Sequence, residues 1–142
     1  MSVLRPKTAL TVLGLFVFLA LLDGAYRSGA FLSVPPVCNP GIGLGIELSP
    51  SLMWAAILLI LTLVLSQAFK KPFGWENVAW GAVFIGGMTN AIDRHARGCV
   101  TDYLHVPFFP SFNLADIMIF LGVMLLGLSF LGILSKAKPY VS

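Results

Sequence analysis

Two aspartates define the chemistry that this sequence can support. Asp102 stands in Val100-Thr101-Asp102-Tyr103, a stretch of β-formers, and Asp116 closes Phe112-Asn113-Leu114-Ala115-Asp116, just ahead of a long apolar run. Two carboxylates brought to hydrogen-bonding distance cannot both ionise easily, so one keeps a proton while the other can activate a water between them. This is aspartic-protease chemistry: the ionised member takes a proton from water attacking a peptide carbonyl, and the protonated member donates to the developing oxyanion. A plainer reading competes with it. Asn113 suits an N-cap and Asp116 the third helical position, where free N–H groups and the helix dipole favour a carboxylate. Capping alone leaves a cost, because an ionised Asp116 lying at depth in hydrocarbon would cost roughly 2.5–3.5 kcal/mol. The segment that carries Asp102 is the nearest source of compensation.

A second polar group precedes this pair. Asn90, Asp93, Arg94 and Arg97 follow the spacing i, i+3, i+4 and i+7, which puts them on one helical face. Gly86 lies one turn below Asn90 on that face, so a neighbouring helix or a ligand can approach closely there. The alternative is a snorkelled helix end in which Asp93 and Arg97 simply pair.

The elements that must position these residues follow from composition. Of 142 residues only 11% are charged, against roughly a quarter in an average soluble domain, while 58% are apolar. The mean hydropathy is +0.92. The lipid bilayer is therefore the expected solvent. Four apolar stretches, about 8–24, 51–69, 77–94 and 114–134, are each near the roughly 20 residues that cross about 30 Å of hydrocarbon as helix. None alternates with period two, which excludes a closed barrel. The fold class expected is an all-α integral membrane protein, a single membrane-embedded domain over 1–142, with four transmembrane helices and a small extended, β-like outer segment between the first two. In that segment Pro35-Pro36 and Pro40 forbid helix, and Gly41, Gly43 and Gly45 alternate with Ile42, Leu44 and Ile46. The first stretch has a basic start but no small-x-small cleavage pattern, so it reads as a retained helix.

Charge sets the orientation. Arg5 and Lys7, Lys70 and Lys71, and Lys136 and Lys138 flank the spans on one side, which the positive-inside rule makes cytoplasmic. Arg27, Arg94 and Arg97 fall on the other side with Asp23, Glu47, Asp93, Asp102 and Asp116. Both termini are then inside, and the acids gather at the outer face.

Other chemistry has little support. No DNA-binding motif or long basic run is present, so no nucleic-acid partner is expected. His95, Cys99 and His105, with Cys38, match no established ligand spacing, so no metal site is expected. Cys38 and Cys99 both fall outside, where an oxidising compartment would allow a disulfide, but sequence leaves their distance open. Trp54, Trp75 and Trp80 read as core or interface anchors. The rival functional class is a non-catalytic four-helix membrane subunit or small transporter, although a carrier would place its ionisable groups near mid-membrane rather than at one face.

Three segments in order resemble the bacterial lipoprotein signal peptidases, signal peptidase II. Gly86-Gly87-Met88-Thr89-Asn90-Ala91-Ile92-Asp93-Arg94 matches Gly-x-x-x-Asn-x-x-Asp-Arg, Val100-Thr101-Asp102-Tyr103 matches Val-x-Asp-Phe/Tyr, and Phe112-Asn113-Leu114-Ala115-Asp116 matches Phe-Asn-x-Ala-Asp. Asp23 and Asn39-Pro40-Gly41 fall where the family has an Asp and an Asn-x-Gly segment, so the resemblance covers nearly the whole chain. It implies a membrane aspartic endopeptidase that removes the signal peptide of diacylglyceryl-modified prolipoproteins, cleaving before the lipidated cysteine. Asp102 and Asp116 would be its catalytic pair. Asn39, Arg94, Asn90 and Asn113 would serve substrate binding, and Asp23, Gly41, Gly86, Asp93, Val100 and Ala115 would shape the pocket. The resemblance further implies no cofactor, contact with membrane lipids, inhibition by globomycin-type cyclic peptides, a monomer, and residence in the bacterial cytoplasmic (inner) membrane with the site near the outer face. The sequence departs from the family's pattern at Arg27, where a Lys suited to a lipid head group is usual, at Thr89, and at Ile42-Gly43-Leu44. The segment between the two aspartates is also short for the family.

Overall fold

The computed structural model describes residues 6–29, 35–41, 46, 48–68 and 74–133. Four helices, α1 (Pro6–Arg27), α2 (Pro50–Ala68), α3 (Trp75–Arg97) and α4 (Leu114–Phe130), and two short strands, β1 (Val37–Asn39) and β2 (Val100–Asp102), make up its regular structure. Arg5, Glu47, the Lys70–Lys71 and Lys136–Lys138 pairs, and residues 42–45 with Gly43 and Gly45 lie outside the described residues. The lysine-based orientation therefore has no structural counterpart here.

The helices form where apolar runs meet stop signals. Proline opens α1 and α2, where a missing N–H costs nothing, and Gly98 closes α3 in the left-handed conformation (φ 78°), its N–H donating to the Arg94 carbonyl at 2.9 Å. α3 extends beyond the expected 77–94 at both ends, because Gly74 and Gly98, rather than the limits of the apolar run, are its boundaries. Two helices, over Leu10–Arg27 and Pro50–Gln67, are long and apolar enough to cross a membrane, and α4 is a shorter apolar helix. Large apolar side chains such as Leu10, Leu58 and Phe120 face outward, as they do where lipid is the solvent.

At the centre is α3, which packs on α1, α2 and α4. Its closest neighbour is α4. A Cβ on Gly86 would lie 2.6 Å from the Ala115 carbonyl oxygen, and one on Gly122 would lie 2.7 Å from that of Ala79. Glycine at these two positions lets the helix backbones touch, the approach expected of Gly86.

Within the segment expected to be extended between the first two helices, Val37–Asn39 is a strand, β1, and its partner is β2. The two pair antiparallel, with Val37 opposite Asp102, Cys38 opposite Thr101 and Asn39 opposite Val100. A Cys38–Cys99 disulfide, with Cα atoms 5.6 Å apart, ties the ribbon together. It also uses up both thiolates of the metal set weighed from sequence, and among the described residues no cluster of three or more His, Cys, Asp or Glu could hold a metal. Beyond β2 the chain turns through a loop closed by paired Leu104 and Phe112 backbones and enters α4.

Candidate active site

The second carboxylate arrives on α4, and the cap geometry fixes it. The Asn113 side chain accepts from the Asp116 N–H at 3.0 Å, and the Asp116 carboxylate accepts from the Asn113 N–H at 3.1 Å. This is a reciprocal capping box, so the plainer reading of these two residues is correct as far as it goes. It is incomplete because the cap has a second partner. The Asn113 side-chain N–H donates to Asp102 Oδ1 at 2.7 Å. One asparagine, fully buried, thus holds both aspartates, one through its amide and one through its backbone.

Each aspartate accepts one further amide. Asn39 at the end of β1 donates to Asp102 Oδ2 at 2.9 Å, and Asn90 on α3 donates to Asp116 Oδ1 at 2.8 Å. The pairing register explains the first contact: Asn39 lies opposite Val100, two residues before Asp102. Asp102 is 2% exposed. Both carboxylates line a cavity of about 460 Å³ between α2, α3, α4 and the ribbon, together with Arg94, Gly41, Val100 and Phe112.

Beside the pair lies a second, charged cluster built on Arg27. Its Nε donates to Asp23 at 2.5 Å, its Nη1 to Asp93 at 2.6 Å and its Nη2 to the Asn90 side-chain oxygen at 2.6 Å. The side chain is buried, so Arg27 is not the head-group contact suggested by the family position. It is the hub of an internal network, and a guanidinium fork reaches three acceptors that a single ammonium nitrogen would have to share. Asp93 also accepts from the Thr101 N–H at 2.7 Å, which ties α3 to β2. The expected Asp93–Arg97 pair exists at 3.2 Å, but it is the outermost of the contacts to Asp93.

Asp23 is fully buried. It accepts from the Tyr103 hydroxyl at 2.7 Å and from the N–H groups of Leu114 and Ala115 at 3.2 and 3.3 Å. A carboxylate from α1 therefore sits on the first turn of α4, where the helix dipole favours negative charge. Burial, followed by the bond to Asp23, pushes the Tyr103 phenol well above its ordinary pKa. Tyr103, which also stacks on Tyr26, was part of a sequence pattern but had no role assigned from sequence. Its signal was its place next to Asp102.

Of the remaining residues singled out from sequence, Arg94 faces the cavity and donates through Nη2 to the Gly41 carbonyl. Its Nε is buried with no hydrogen-bond partner among the described residues. Asn39 accepts from the Gly41 N–H at 3.0 Å, so the Asn39–Gly41 turn and Arg94 meet at the cavity, with the Asn39 amide and Arg94 Nη2 directed at protein acceptors. A Cβ on Gly41 would meet the Ile46 carbonyl oxygen at 2.8 Å, the close backbone approach expected of the glycine alternation. Val100 and Ala115 are buried. Thr89 turns its hydroxyl to the Ile85 carbonyl at 2.8 Å and takes no part in the site.

Comparison with known proteins places this arrangement. Residues 10–132 match the family model described as signal peptidase (SPase) II. A lipoprotein signal peptidase of Helicobacter pylori is 33% identical over 110 residues, covering 73% of this chain and 70% of that protein. Another from the same species is 30% identical over 132 residues, covering 82% and 84%, and one from Blochmanniella pennsylvanica is 29% identical over 120 residues, covering 72% of each. A bacterial membrane enzyme solved by the in meso method at 2.3 Å resolution aligns over 99% of this chain and 97% of its own, with a TM-score of 0.77 at 22% identity.

Proposed function

The chain belongs to the signal peptidase II family, and we propose that it removes the signal peptide from diacylglyceryl-modified prolipoproteins by aspartic chemistry at Asp102 and Asp116. The observation that carries the aspartic assignment is Asn113: a single buried side chain and its own N–H hold the two carboxylates at the mouth of one cavity. Among the described residues the hydrogen bonds to the pair come from neutral amides, and Arg94 lines the same cavity, so one proton can be shared between the carboxylates.

Hydrolysis then runs in two stages. The ionised carboxylate takes a proton from a water held between the pair as the water oxygen attacks the scissile carbonyl, and the protonated carboxyl donates to the carbonyl oxygen, giving a neutral gem-diol. Collapse breaks the C–N bond: the carboxyl that received the water proton gives it to the amide nitrogen, and a gem-diol hydroxyl returns its proton to the other carboxylate, which restores the singly protonated pair. Arg94, which lines the cavity, holds a substrate carbonyl, and Asn39 and Gly41 form the turn that covers the peptide. Asn90, Asn113, Asp23, Gly86, Asp93, Val100 and Ala115 shape the pocket.

On this reading the single domain spans the bilayer four times, with both termini cytoplasmic and the dyad near the outer face. It works as a monomer among membrane lipids, needs no cofactor and binds globomycin-type cyclic peptides. The test is to supply purified protein with a diacylglyceryl-modified precursor and locate the cleaved bond by mass spectrometry. Cleavage immediately before the modified cysteine is expected. An intact precursor would favour the non-catalytic subunit or transporter, and equal cleavage of the unmodified precursor would contradict the substrate assignment.

A further inference from the structure

Among the described residues none from α1 lines the cavity at the dyad, yet α1 reaches the dyad through two hydrogen bonds in series. Arg27 on α1 donates through Nη2 to Asn90 Oδ1 at 2.6 Å, and Asn90 Nδ2 donates to Asp116 Oδ1 at 2.8 Å. A guanidinium has donors only, so the atom it meets on Asn90 must be the oxygen, which leaves the amide NH2 facing Asp116.

The side-chain amides bonded to the dyad differ in what orients them. The Asn39 oxygen accepts from the Gly41 N–H at 3.0 Å, and the Asn113 oxygen accepts from the Asp116 N–H at 3.0 Å. Each is held by backbone from its own turn. Asn90 lies inside α3, where backbone N–H groups are already bonded along the helix. The donor to its oxygen is instead Arg27, 63 residues away in the chain. A half rotation of its last torsion would exchange the oxygen and NH2 with little change of shape. The Asn90 oxygen would then face an Asp116 oxygen, two acceptors with no donor between them. Local backbone prevents this turnover at Asn39 and Asn113; at Asn90 Arg27 prevents it.

We propose that Arg27 is a positioning residue of the dyad, which acts through Asn90 by holding the amide with its N–H on Asp116. This rests on the peptidase reading above and extends it to a residue outside the cavity. The guanidinium is anchored for the task, since Nε and Nη1 donate to Asp23 and Asp93, and Asp93 accepts in turn from the Thr101 N–H. Nη2 is thereby aimed at Asn90. A cation on the amide oxygen also polarises the amide and strengthens its N–H as a donor. With Asn90 on Oδ1 and the Asn113 N–H on Oδ2, both oxygens of Asp116 are held, which fixes the carboxylate against the water that it must face.

The plainer role of Arg27 is to neutralise buried Asp23 and Asp93, and that role does not pass through Asn90. Arg27→Lys keeps the charge but lacks the fork that reaches the third acceptor. Arg27→Lys, Asn90→Ala and the double variant are compared on one diacylated precursor in one lipid, with rates referred to the folded fraction. Arg27→Lys should lower kcat roughly tenfold with KM within about twofold, and Asn90→Ala should lower kcat at least as far. In the Asn90→Ala enzyme, adding Arg27→Lys should change kcat by less than about twofold, because the path is already cut. An unchanged kcat in Arg27→Lys, or an equal loss with and without Asn90, overturns the inference and leaves the peptidase reading standing. Absence of cleavage by the unmodified enzyme overturns both. If Arg27→Lys does not fold, the unmodified enzyme decides by NMR of isotope-labelled asparagine, with the Asn90 signal identified by its loss in Asn90→Ala. The two Asn90 side-chain amide protons should be separately resolved and slow to exchange with water; rapid exchange shows an amide that is not held, and overturns the inference.

Discussion

Asp23 and Asp93 share the guanidinium of Arg27, whereas Asp102 and Asp116 share an asparagine. The two pairs lie at the same end of the bundle and touch through Asn90, which accepts from Arg27 and donates to Asp116. Among the described residues neither Asp102 nor Asp116 is in an ion pair. A carboxylate neutralised by a buried cation is fixed in its charged state and ties elements together. One held by neutral amides keeps its proton exchangeable, which general acid–base work requires. The partner, more than the aspartate itself, separates the pair that ties elements together from the pair proposed for catalysis.

That contrast breaks most sharply under substitution. Asp102→Asn and Asp116→Asn should each lower kcat by roughly 10³-fold or more, while each loses only one accepted hydrogen bond, about 1 kcal/mol of stability. Turnover assays beside thermal denaturation in the same lipid check both halves. Arg27→Met should do the opposite, stranding Asp23 and Asp93 and costing about 3–5 kcal/mol of stability, read as a large fall in Tm. Arg27→Lys should recover part of that loss, since an ammonium keeps the charge but cannot reach three acceptors in a fork. If Arg27→Met left Tm unchanged, the structural role of the first pair would fail.

Much of this was legible in the sequence. The apolar runs located all four helices, the pairing of Asn113 with Asp116 announced a cap, and Gly86 marked the close approach of α4. Three features were not legible, because each depends on contacts between residues distant in the chain. Asn113 reaches Asp102 only because the loop closed at Leu104 and Phe112 folds back. Cys38 and Cys99 meet only through the β1–β2 register. Arg27 stood out in the sequence only as a departure from a usual Lys, and its three acceptors, on two helices, come together only in the fold.

Two smaller effects sharpen the comparison. Cys38 precedes Asn39, and its disulfide pins β1 to β2, so Cys38→Ser or treatment with a dithiol reductant should lower kcat about tenfold by loosening the Asn39 donor at Asp102. Asn39→Ala should make reduction nearly silent, and kinetic assays with and without reductant show whether it does. Tyr103→Phe keeps the stack on Tyr26 and removes one donor from Asp23, costing about 1–2 kcal/mol of stability. Because the Tyr103 pKa is raised in the folded chain, the phenol's contribution is fully present below the ordinary tyrosine pKa of about 10 and is lost as pH rises toward the folded value. The difference in Tm between the two proteins should therefore be flat from about pH 6 to 9.

The shared dyad is tested most directly by whether its losses add. Asp102→Asn, Asp116→Asn and the double variant are compared by kcat/KM on one diacylated precursor in one lipid. If the two carboxylates work as a unit through Asn113, the double variant should retain residual activity within about threefold of either single variant. Losses that multiply, or a single variant that cleaves at the unmodified rate, would contradict the assignment.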